Sequence, residues 1–523
     1  MAITLDIDTG GTFTDGFVVR DGISHAVKVL TTPHDLAVCF ADVIEAAADA
    51  LDLDVTAMLA QTEAVRYATT VGTNTVIQRN GPKLGLLTDD ADVADGAALF
   101  LDEGMTRKVA LSTAEAASNG DGSRSGTVGA IRSLLDDSAR GLVCSISAQT
   151  GGAEGERGVQ EVFREHYPRQ CLDTVPLVLA GDLTSDADAR RRAATALFNA
   201  YVHPAVADYL YRAEDYLRDH GYRRPLLVVH NDGGCGRVAK TIAAKTYNSG
   251  PTAGVAGGAA VAQALGLKTL VTLDMGGTSL DVAIVRDGQV PQRERGDIEG
   301  IEISFPLTDL RTLGAGGGSI AHIEDGELKV GPQSAGSKPG PACFGFGGVQ
   351  PTVTDADVVL GIIRPEAFLG GAMTIDHGAA LAVMTTLGEA LGCSAHEAAQ
   401  RVRTTVHATM GAELAADLRR AGVEPADVVA LAFGGNGATH AAGIAAHAGI
   451  QEVLTFPFSP VFSAFGASTA DVRHLYEGAV GDEDALRARA LRDMRGEGFG
   501  ADDVTLDVRT VGSNGSSTLV VEA

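Results

Sequence analysis

The stretch "LDIDTGGTFTD", residues 5–15, decides the fold. Leu5 and Ile7 alternate with polar residues, as in a half-buried strand, and the chain then runs into Gly10-Gly11-Thr12 between Asp8 and Asp15. Glycine there has two readings. A β-hairpin turn uses it to reach positive φ. A phosphate cradle uses it so that backbone N–H groups can approach an anion, with carboxylates nearby for a metal ion. A second copy favours the cradle. Residues 7–22, "IDTGGTFTDGFVVRDG", align without a gap to residues 273–288, "LDMGGTSLDVAIVRDG", with nine of sixteen positions identical. The readings coexist: each copy is expected to run strand, Gly-rich turn, strand, Arg-Asp-Gly turn, strand.

Two such hairpins predict two like domains facing each other across a cleft, each holding one end of a polyphosphate. The phosphate-binding candidates are Gly10, Gly11, Thr12 and Thr14 in the first copy and Gly276, Gly277, Thr278 and Ser279 in the second. Asp8, Asp15, Asp274 and Asp281 form the catalytic set. Asp8 and Asp274 are the leading Mg²⁺ ligands, because Mg²⁺ is suited by one or two carboxylates together with phosphate oxygens and water.

Other stretches carry weaker signals. In "FGGNGATHA", Gly434, Gly435 and Asn436 are candidate adenosine contacts, where a Gly-Gly turn packs on a flat ring; a tightly packed helix N-terminus is the alternative. "TVTDAD" (352–357) supplies Thr352, Thr354, Asp355 and Asp357 either as oxygen ligands, with Asp355 a candidate for a divalent cation, or as a helix cap. Gly316, Gly317, Gly318 and Ser319 are candidates for binding phosphate or substrate oxygen through backbone N–H groups. His230, Asn231 and Asp232 close a strand, a usual place for catalytic side chains, although a lone His there is more often structural. His440 is read as a capping or packing residue. "GCGRVA" (234–239) fits a relaxed dinucleotide pattern but lacks the acidic residue about twenty positions on, and there is no P-loop.

The doubled D-x-G-G-T-x-x-D resembles the actin, sugar-kinase and Hsp70 superfamily. The chain resembles, more specifically, the hydantoinase A, 5-oxoprolinase and acetone/acetophenone carboxylase family. The match is carried by "DIDTGGTFTD" (6–15), "YATTVGTNTVIQRNG" (67–81), "NSGPTAG" (248–254), "LDMGGTSLD" (273–281), "LGAGGGSIA" (313–321), "VGPQSAGSKPGPACFGFGG" (330–348), "PTVTDADVVLG" (351–361), "AFGGNGATHA" (432–441) and "FSAFGAS" (462–468). The resemblance implies an α/β fold of duplicated ribonuclease-H-like ATP-binding domains around a central cleft. It implies ATP with Mg²⁺, or another divalent cation, and phosphoryl transfer that activates a carbonyl oxygen of a small carbonyl or lactam substrate. The chain would be the A-type subunit of a cyclic amide hydrolase or, alternatively, the ATP-binding subunit of a ketone carboxylase. A B-type subunit would be its partner in a hetero-oligomer. A small-molecule kinase and a non-catalytic nucleotide-dependent scaffold are the remaining alternatives. The chain departs from the family pattern in residues 100–140, which lack an expected Arg-Pro stretch, and at the C-terminal end, where the family's last domain is cut short.

At 523 residues the chain expects two or three domains. We divide it into 1–190, 191–475 and 476–523. Apolar residues make up 45% and Trp is absent. The net charge of −26 argues against nucleic acid and anionic membranes, which need clustered Lys and Arg. Cys39, Cys144, Cys171, Cys235, Cys343 and Cys393 have no metal-site spacing and read as reduced thiols. With no leader pattern and no apolar run of about eighteen residues, the sequence reads as cytoplasmic. Helices are expected over 33–54 and over 185–221, the latter bridging the two halves. Residues 113–127 read as a surface loop. Residues 314–348 are rich enough in Gly and Pro to argue against regular structure.

Overall fold

The computed structural model describes residues 2–90, 92–93, 106–110, 121–147, 152–172, 174–336, 338–366, 368, 373–479, 481–511 and 516–522. The opening hairpin forms as its alternation dictates: β1 (Ile3–Thr9), β2 (Phe13–Arg20) and β3 (Ile23–Leu30) pair antiparallel. Ile3, Leu5 and Ile7 all bury on one face. Strand β4 (Thr62–Thr69) joins β1 in parallel. A separate four-stranded sheet holds β5 (Leu84–Thr88), β6 (Thr106–Ala110), β7 (Gly141–Ser145) and β8 (Leu177–Leu179) in the order β6-β5-β7-β8. Strands β9 (Leu226–Val229) and β10 (Cys235–Arg237) return to the first sheet, whose order is β10-β9-β4-β1-β2-β3. Sheet membership therefore does not follow the 190/191 division, since two strands of the first sheet come from beyond it.

The second sheet repeats this plan. It begins with β11 (Thr269–Met275) and β12 (Leu280–Arg286). Four short strands follow: β13 (Gln292–Arg293), β14 (Gly296–Ile298), β15 (Ile301–Ile303) and β16 (Leu307–Thr308), paired as β13 with β16 and β14 with β15. Strand β17 (Arg311–Leu313) then pairs with β12. The hairpin β18 (Ser319–Glu324) and β19 (Glu327–Ser334) stands apart, and β20 (Val429–Phe433) and β21 (Glu452–Leu454) complete the sheet in the order β17-β12-β11-β20-β21. In both sheets the first three strands run antiparallel with the opening strand innermost, and two parallel strands extend the other side. This is the duplicated ribonuclease-H-like fold. A three-stranded sheet of β22 (Arg473–Ala479), β23 (Thr505–Val511) and β24 (Ser516–Glu522) ends the described chain.

Helix Leu36–Ala50, started by Asp35 accepting from Ala37 N–H, covers the first sheet with the long helix Ala189–Asp219. Helices Val353–Val359, Ala395–Arg420 and Gly437–Ala448 share a core with the second sheet. Both long-helix expectations hold. The 189–219 helix does reach the second half at β15, where the Thr195 hydroxyl accepts from Ser304 N–H (2.8 Å) and Arg191 pairs with Glu302 (3.0 Å), but a second bridge joins the two sheets directly. The 189–219 helix packs mainly within the first half, whereas Ser249–Leu265 and Phe462–Ser468 cross each other and touch both sheets. Their crossing is backbone to backbone: a Cβ on Gly466 would collide with the Ala253 carbonyl, and one on Gly257 would sit 2.9 Å from Gly466 Cα. The small residues of "NSGPTAG" and "FSAFGAS" thus serve close helix approach.

Three local expectations are corrected. Residues 121–127 open the helix Asp121–Asp136, while 113–120 lie outside the described residues. The Gly-rich span 314–348 contains the β18–β19 hairpin, whose Asp325-Gly326 turn takes positive φ at both positions. The third strand of the second copy does not follow its Arg-Asp-Gly turn directly but comes after the β13–β16 excursion.

Candidate functional site

The two Gly-Gly-Thr turns open onto one cavity of about 910 Å³ between the sheets. Asp8, Gly10, Gly11, Thr12 and Asp15 line one wall; Asp274, Gly276, Gly277, Thr278, Ser279 and Asp281 line the other. Each turn uses its N–H groups in the same way. Gly10 N–H closes the first turn on the Phe13 carbonyl (2.9 Å), and Gly276 N–H closes the second on Ser279 (3.1 Å). The next two N–H groups, of Gly11 and Thr12 and of Gly277 and Thr278, have no partner among the described residues. None of the four glycines has positive φ, and a Cβ on Gly11, Gly276 or Gly277 would meet nothing within 4 Å. A Cβ on Gly10 would lie 3.2 Å from the Phe13 carbonyl oxygen, whereas Gly11, Gly276 and Gly277 are not required by the turn. Their missing side chains leave the cradle open. The Arg-Asp-Gly turns behave differently: Asp21, Gly22, Asp287 and Gly288 all sit at positive φ.

The carboxylates meet in register. Asp8 lies opposite Asp15, and Asp274 opposite Asp281. Asp8 is pushed well above the usual carboxylate range by burial and by the charges of Asp15 and Asp274; Lys28 opposes this. Asp274 is pushed up to about 7 by burial, then by Asp281 and Asp15. Burial also raises Asp15, against the pull of Lys28, and raises Asp281, against a hydrogen bond from Thr312 Oγ1 (2.6 Å). Asp8 Oδ1 is buried with no hydrogen-bond partner among the described residues. Both inner carboxylates are seated on glycine: a Cβ on Gly250 would lie 2.6 Å from Asp8 Oδ1, and one on Gly434 would collide with Asp274 Oδ1. A buried orphan oxygen and two crowded carboxylates in a partly open cleft suit a divalent cation, which would lift the penalty that burial puts on their ionised forms. Among the described residues no three His, Cys, Asp or Glu side chains converge as a cage, so such an ion would take its other ligands from water and phosphate.

Gly434, Gly435 and Asn436 line the same cavity at the start of helix Gly437–Ala448. Asn436 Nδ2 donates to the Gly276 carbonyl (3.0 Å), tying this turn to the second cradle. Other candidates fall elsewhere. Thr14 is buried behind the first turn, where its hydroxyl meets Thr9 and Thr31. Alternation along β2 turns it away from the side that Phe13 and Asp15 occupy. Gly316 and Gly317 do not line the cleft. Gly316 N–H donates to Ser319 Oγ (2.8 Å), Gly317 N–H to the Gly276 carbonyl (3.1 Å) and Gly318 N–H to the Gly277 carbonyl (2.6 Å). Gly317 and Gly318 brace the second turn, Gly318 while lining the cleft, and with all three N–H groups paired none is left for an anion; a Cβ on Gly316 would lie 2.7 Å from Ser279 N. Asp355 is a cap, not a ligand. Its carboxylate accepts from Cys343 N–H (2.8 Å), Thr352 N–H (3.1 Å), Ala342 N–H (3.2 Å) and the Thr352 hydroxyl (2.7 Å) in a capping box.

His230, Asn231 and Asp232 are buried away from the cleft, with Asp232 held below the usual carboxylate range, at about 2, chiefly by Lys245 against its burial. His440 is a packing residue between His407 (2.9 Å) and Asp357 (2.8 Å). All six cysteines are free thiols. Among the described residues no single helix is long and apolar enough to cross a membrane.

Lys28 escaped sequence reading. It faces Asp15 across β2 and β3, pairs with its carboxylate and donates to the Pro460 carbonyl (3.0 Å). A two-residue turn at Asp21-Gly22 sets that register, so the pairing could have been counted from the sequence.

A family model described as hydantoinase/oxoprolinase matches residues 192–476, and one for the hydantoinase/oxoprolinase N-terminal region matches 4–93. The chain belongs to the hydantoinase/oxoprolinase family. Within it, the chain is 35% identical to the acetophenone carboxylase gamma subunit of Aromatoleum aromaticum, over 96% of this chain and 75% of that one. It is 30% identical to the caprolactamase alpha subunit of Pseudomonas jessenii, over 97% and 79%. Two solved structures share the family fold across nearly the whole chain. An acetone carboxylase in its nucleotide-free form superposes with a TM-score of 0.83 at 23% identity, covering 99% of this chain and 87% of that one. The ATP-dependent caprolactamase of Pseudomonas jessenii superposes with a TM-score of 0.78 at 25% identity, covering 100% and 87%.

Proposed function

We propose that this hydantoinase/oxoprolinase family member uses ATP to activate a carbonyl oxygen by phosphoryl transfer, as the A-type subunit of a cyclic amide hydrolase. The observation that carries this reading is the pair of identical cradles facing one cleft, each with two unpartnered N–H groups beside an aspartate. The N–H groups of Gly11, Thr12, Gly277 and Thr278 would hold phosphate oxygens, with the hydroxyls of Thr12 and Thr278 adding donors. Asp8 and Asp274 would hold Mg²⁺, which when bound neutralises charge on the phosphates. Gly434, Gly435 and Asn436 would flank the adenosine, placing it on the second wall. Phosphoryl transfer then needs little from the protein beyond position and electrostatics. The γ-phosphorus bond to the ADP oxygen breaks as the carbonyl oxygen bonds to that phosphorus, and ADP leaves. Water then adds to the activated carbon, the ring C–N bond breaks with the nitrogen leaving as the amine, and a second water hydrolyses the acyl phosphate to carboxylate and phosphate.

A ketone carboxylase subunit is the second reading, favoured by the 35% identity to an acetophenone carboxylase subunit. In both readings the chain works in the cytoplasm with a B-type partner, in keeping with relatives that are themselves subunits. The divisions 1–190, 191–475 and 476–523 would be the first cradle domain, the second cradle domain and the start of a C-terminal domain. The test is phosphate release by the chain reconstituted with its partner, with lactams and with ketones plus bicarbonate. Release that depends on one carbonyl class is expected. Release indifferent to every carbonyl compound, or none at all, would contradict the proposal.

A further inference from the structure

Asp357, Arg403 and His440 do not line the cleft, yet they meet one helical turn from residues that do. Asp357 and His440 are fully buried. Asp357, on helix Val353–Val359, pairs with Arg403 of helix Ala395–Arg420 and lies 2.8 Å from Nε2 of His440, on helix Gly437–Ala448. Arg403 also donates to the Thr439 carbonyl. His407, one turn further along the Arg403 helix, meets His440 Nδ1 through its own Nε2 (2.9 Å). One carboxylate thus ties three helices together.

Two of these helices hold the second cradle. Thr354 precedes Asp357 by three residues and Asn436 precedes His440 by four, so each pair shares a helix face. Thr354 N–H (2.7 Å) and the Thr354 hydroxyl (2.8 Å) both donate to the Gly317 carbonyl. Gly317 N–H (3.1 Å) and Asn436 Nδ2 (3.0 Å) both donate to the Gly276 carbonyl. The fit is close: a Cβ on Gly317 would lie 2.4 Å from Asn436 Nδ2 and 2.9 Å from Thr354 Oγ1. A buried ion pair adds little stability over an apolar filling of similar volume, but its partners must keep one arrangement. A shift of either helix at the Asp357–His440 contact is therefore carried to the turn that presents the Gly277 and Thr278 N–H groups.

We propose that Asp357 is a positioning residue for the second cradle: through His440 and Arg403 it sets the two helices whose Thr354 and Asn436 hold that turn toward the nucleotide. This rests on the ATP-dependent reading above and adds to it a residue that touches no nucleotide atom. Calorimetric titration of Mg·ADP into the full chain, well below its melting temperature, compares wild type with Asp357→Asn, His440→Gln, Thr354→Val, the Asp357→Asn/Thr354→Val double variant and Val159→Ala. Val159 is buried in the core of the four-stranded sheet, so its variant lowers stability without touching the cleft. Asp357→Asn and His440→Gln should each weaken Mg·ADP by about tenfold, the scale of one or two lost hydrogen bonds, at an unchanged stoichiometry, while Val159→Ala binds as wild type does. Adding Thr354→Val to Asp357→Asn should cost less affinity than Thr354→Val costs alone, because both act through one turn. Wild-type affinity in Asp357→Asn, an equal loss in Val159→Ala, or losses that add in full would each overturn the proposal and leave the nucleotide reading standing. If Asp357→Asn does not fold, His440→Gln, which keeps the Asp357–Arg403 pair, takes its place and is judged by the same results. A wild-type chain that binds no Mg·ADP would contradict that reading and the proposal together.

Discussion

The two hairpins share backbone, register and nine of sixteen residues, yet they differ at the position facing the outer aspartate. In the first, β3 follows its turn at once and presents Lys28 to Asp15. In the second, the chain detours through β13–β16 before β17 presents Thr312 to Asp281. The detour leaves the pairing register intact, because lengthening a loop costs only slowly growing entropy while the strand's apolar face fixes its position. The walls are thus alike as scaffolds and unlike in electrostatics. The first carries a built-in counter-charge for its outer carboxylate and the second a hydroxyl. Backbone geometry alone can duplicate a cradle; the charge of each wall depends on single third-strand residues.

The largest effect is expected where the walls are the same. Asp8→Asn and Asp274→Asn should each reduce carbonyl-dependent phosphate release by about 10² or more, the scale seen when one preorganised electrostatic element is lost, with little loss of melting temperature. Turnover at the wild-type rate in either variant, measured with the partner present, would break the equivalence of the inner carboxylates. Where the walls differ, the effects should differ too. Lys28→Met removes a charged partner and is expected to slow release by about tenfold, whereas Thr312→Val, which removes a neutral hydrogen bond, should slow it about threefold. Without Lys28, Asp15 rises further, so the limb of the pH–rate profile that needs its carboxylate should move to higher pH. An unmoved limb would show that Lys28 does not act through Asp15.

A smaller effect concerns stability. Asp274 ordinarily ionises near 3.8 but is held at about 7 in the fold, so between those values the folded chain keeps a proton that the unfolded chain has lost. Its contribution to stability is therefore fully present below about 4 and is lost as pH rises through about 7. Asp8 acts with the same sign. Melting temperatures of the nucleotide-free chain over this window should fall with a steeper slope in wild type than in Asp274→Asn. Equal slopes would mean that the second wall is not under this strain.

Much of this was legible in the sequence. The 7–22 and 273–288 match located both sheets' opening strands and placed Asp8, Asp15, Asp274 and Asp281 on one cleft, because a gapless repeat carries its register with it. What failed was function read from composition. Gly316 and Gly317 looked like anion binders, but a glycine-rich run is equally what one turn needs to pack on another, and only tertiary contacts tell the two apart. Asp355 sat in a ligand-like cluster whose spacing also satisfies a capping box. Thr14 was assigned by proximity to the turn, although strand alternation already pointed it away from Asp15. Asn248 and Thr73 could not be linked from sequence, since a hydrogen bond between residues 175 positions apart leaves no local signal.

The central claim is that the two walls together hold one nucleotide. Calorimetric titration of Mg·ATP into the full chain, into Gly11→Ala and into Gly277→Ala tests it most directly. A methyl at either position meets no protein atom within 4 Å, so both variants should melt as wild type does. The shared cradle predicts one nucleotide per chain in wild type and a loss of affinity of at least tenfold in both variants, since either methyl enters the phosphate space. Two nucleotides per chain, or affinity lost in one variant and unchanged in the other, would contradict it.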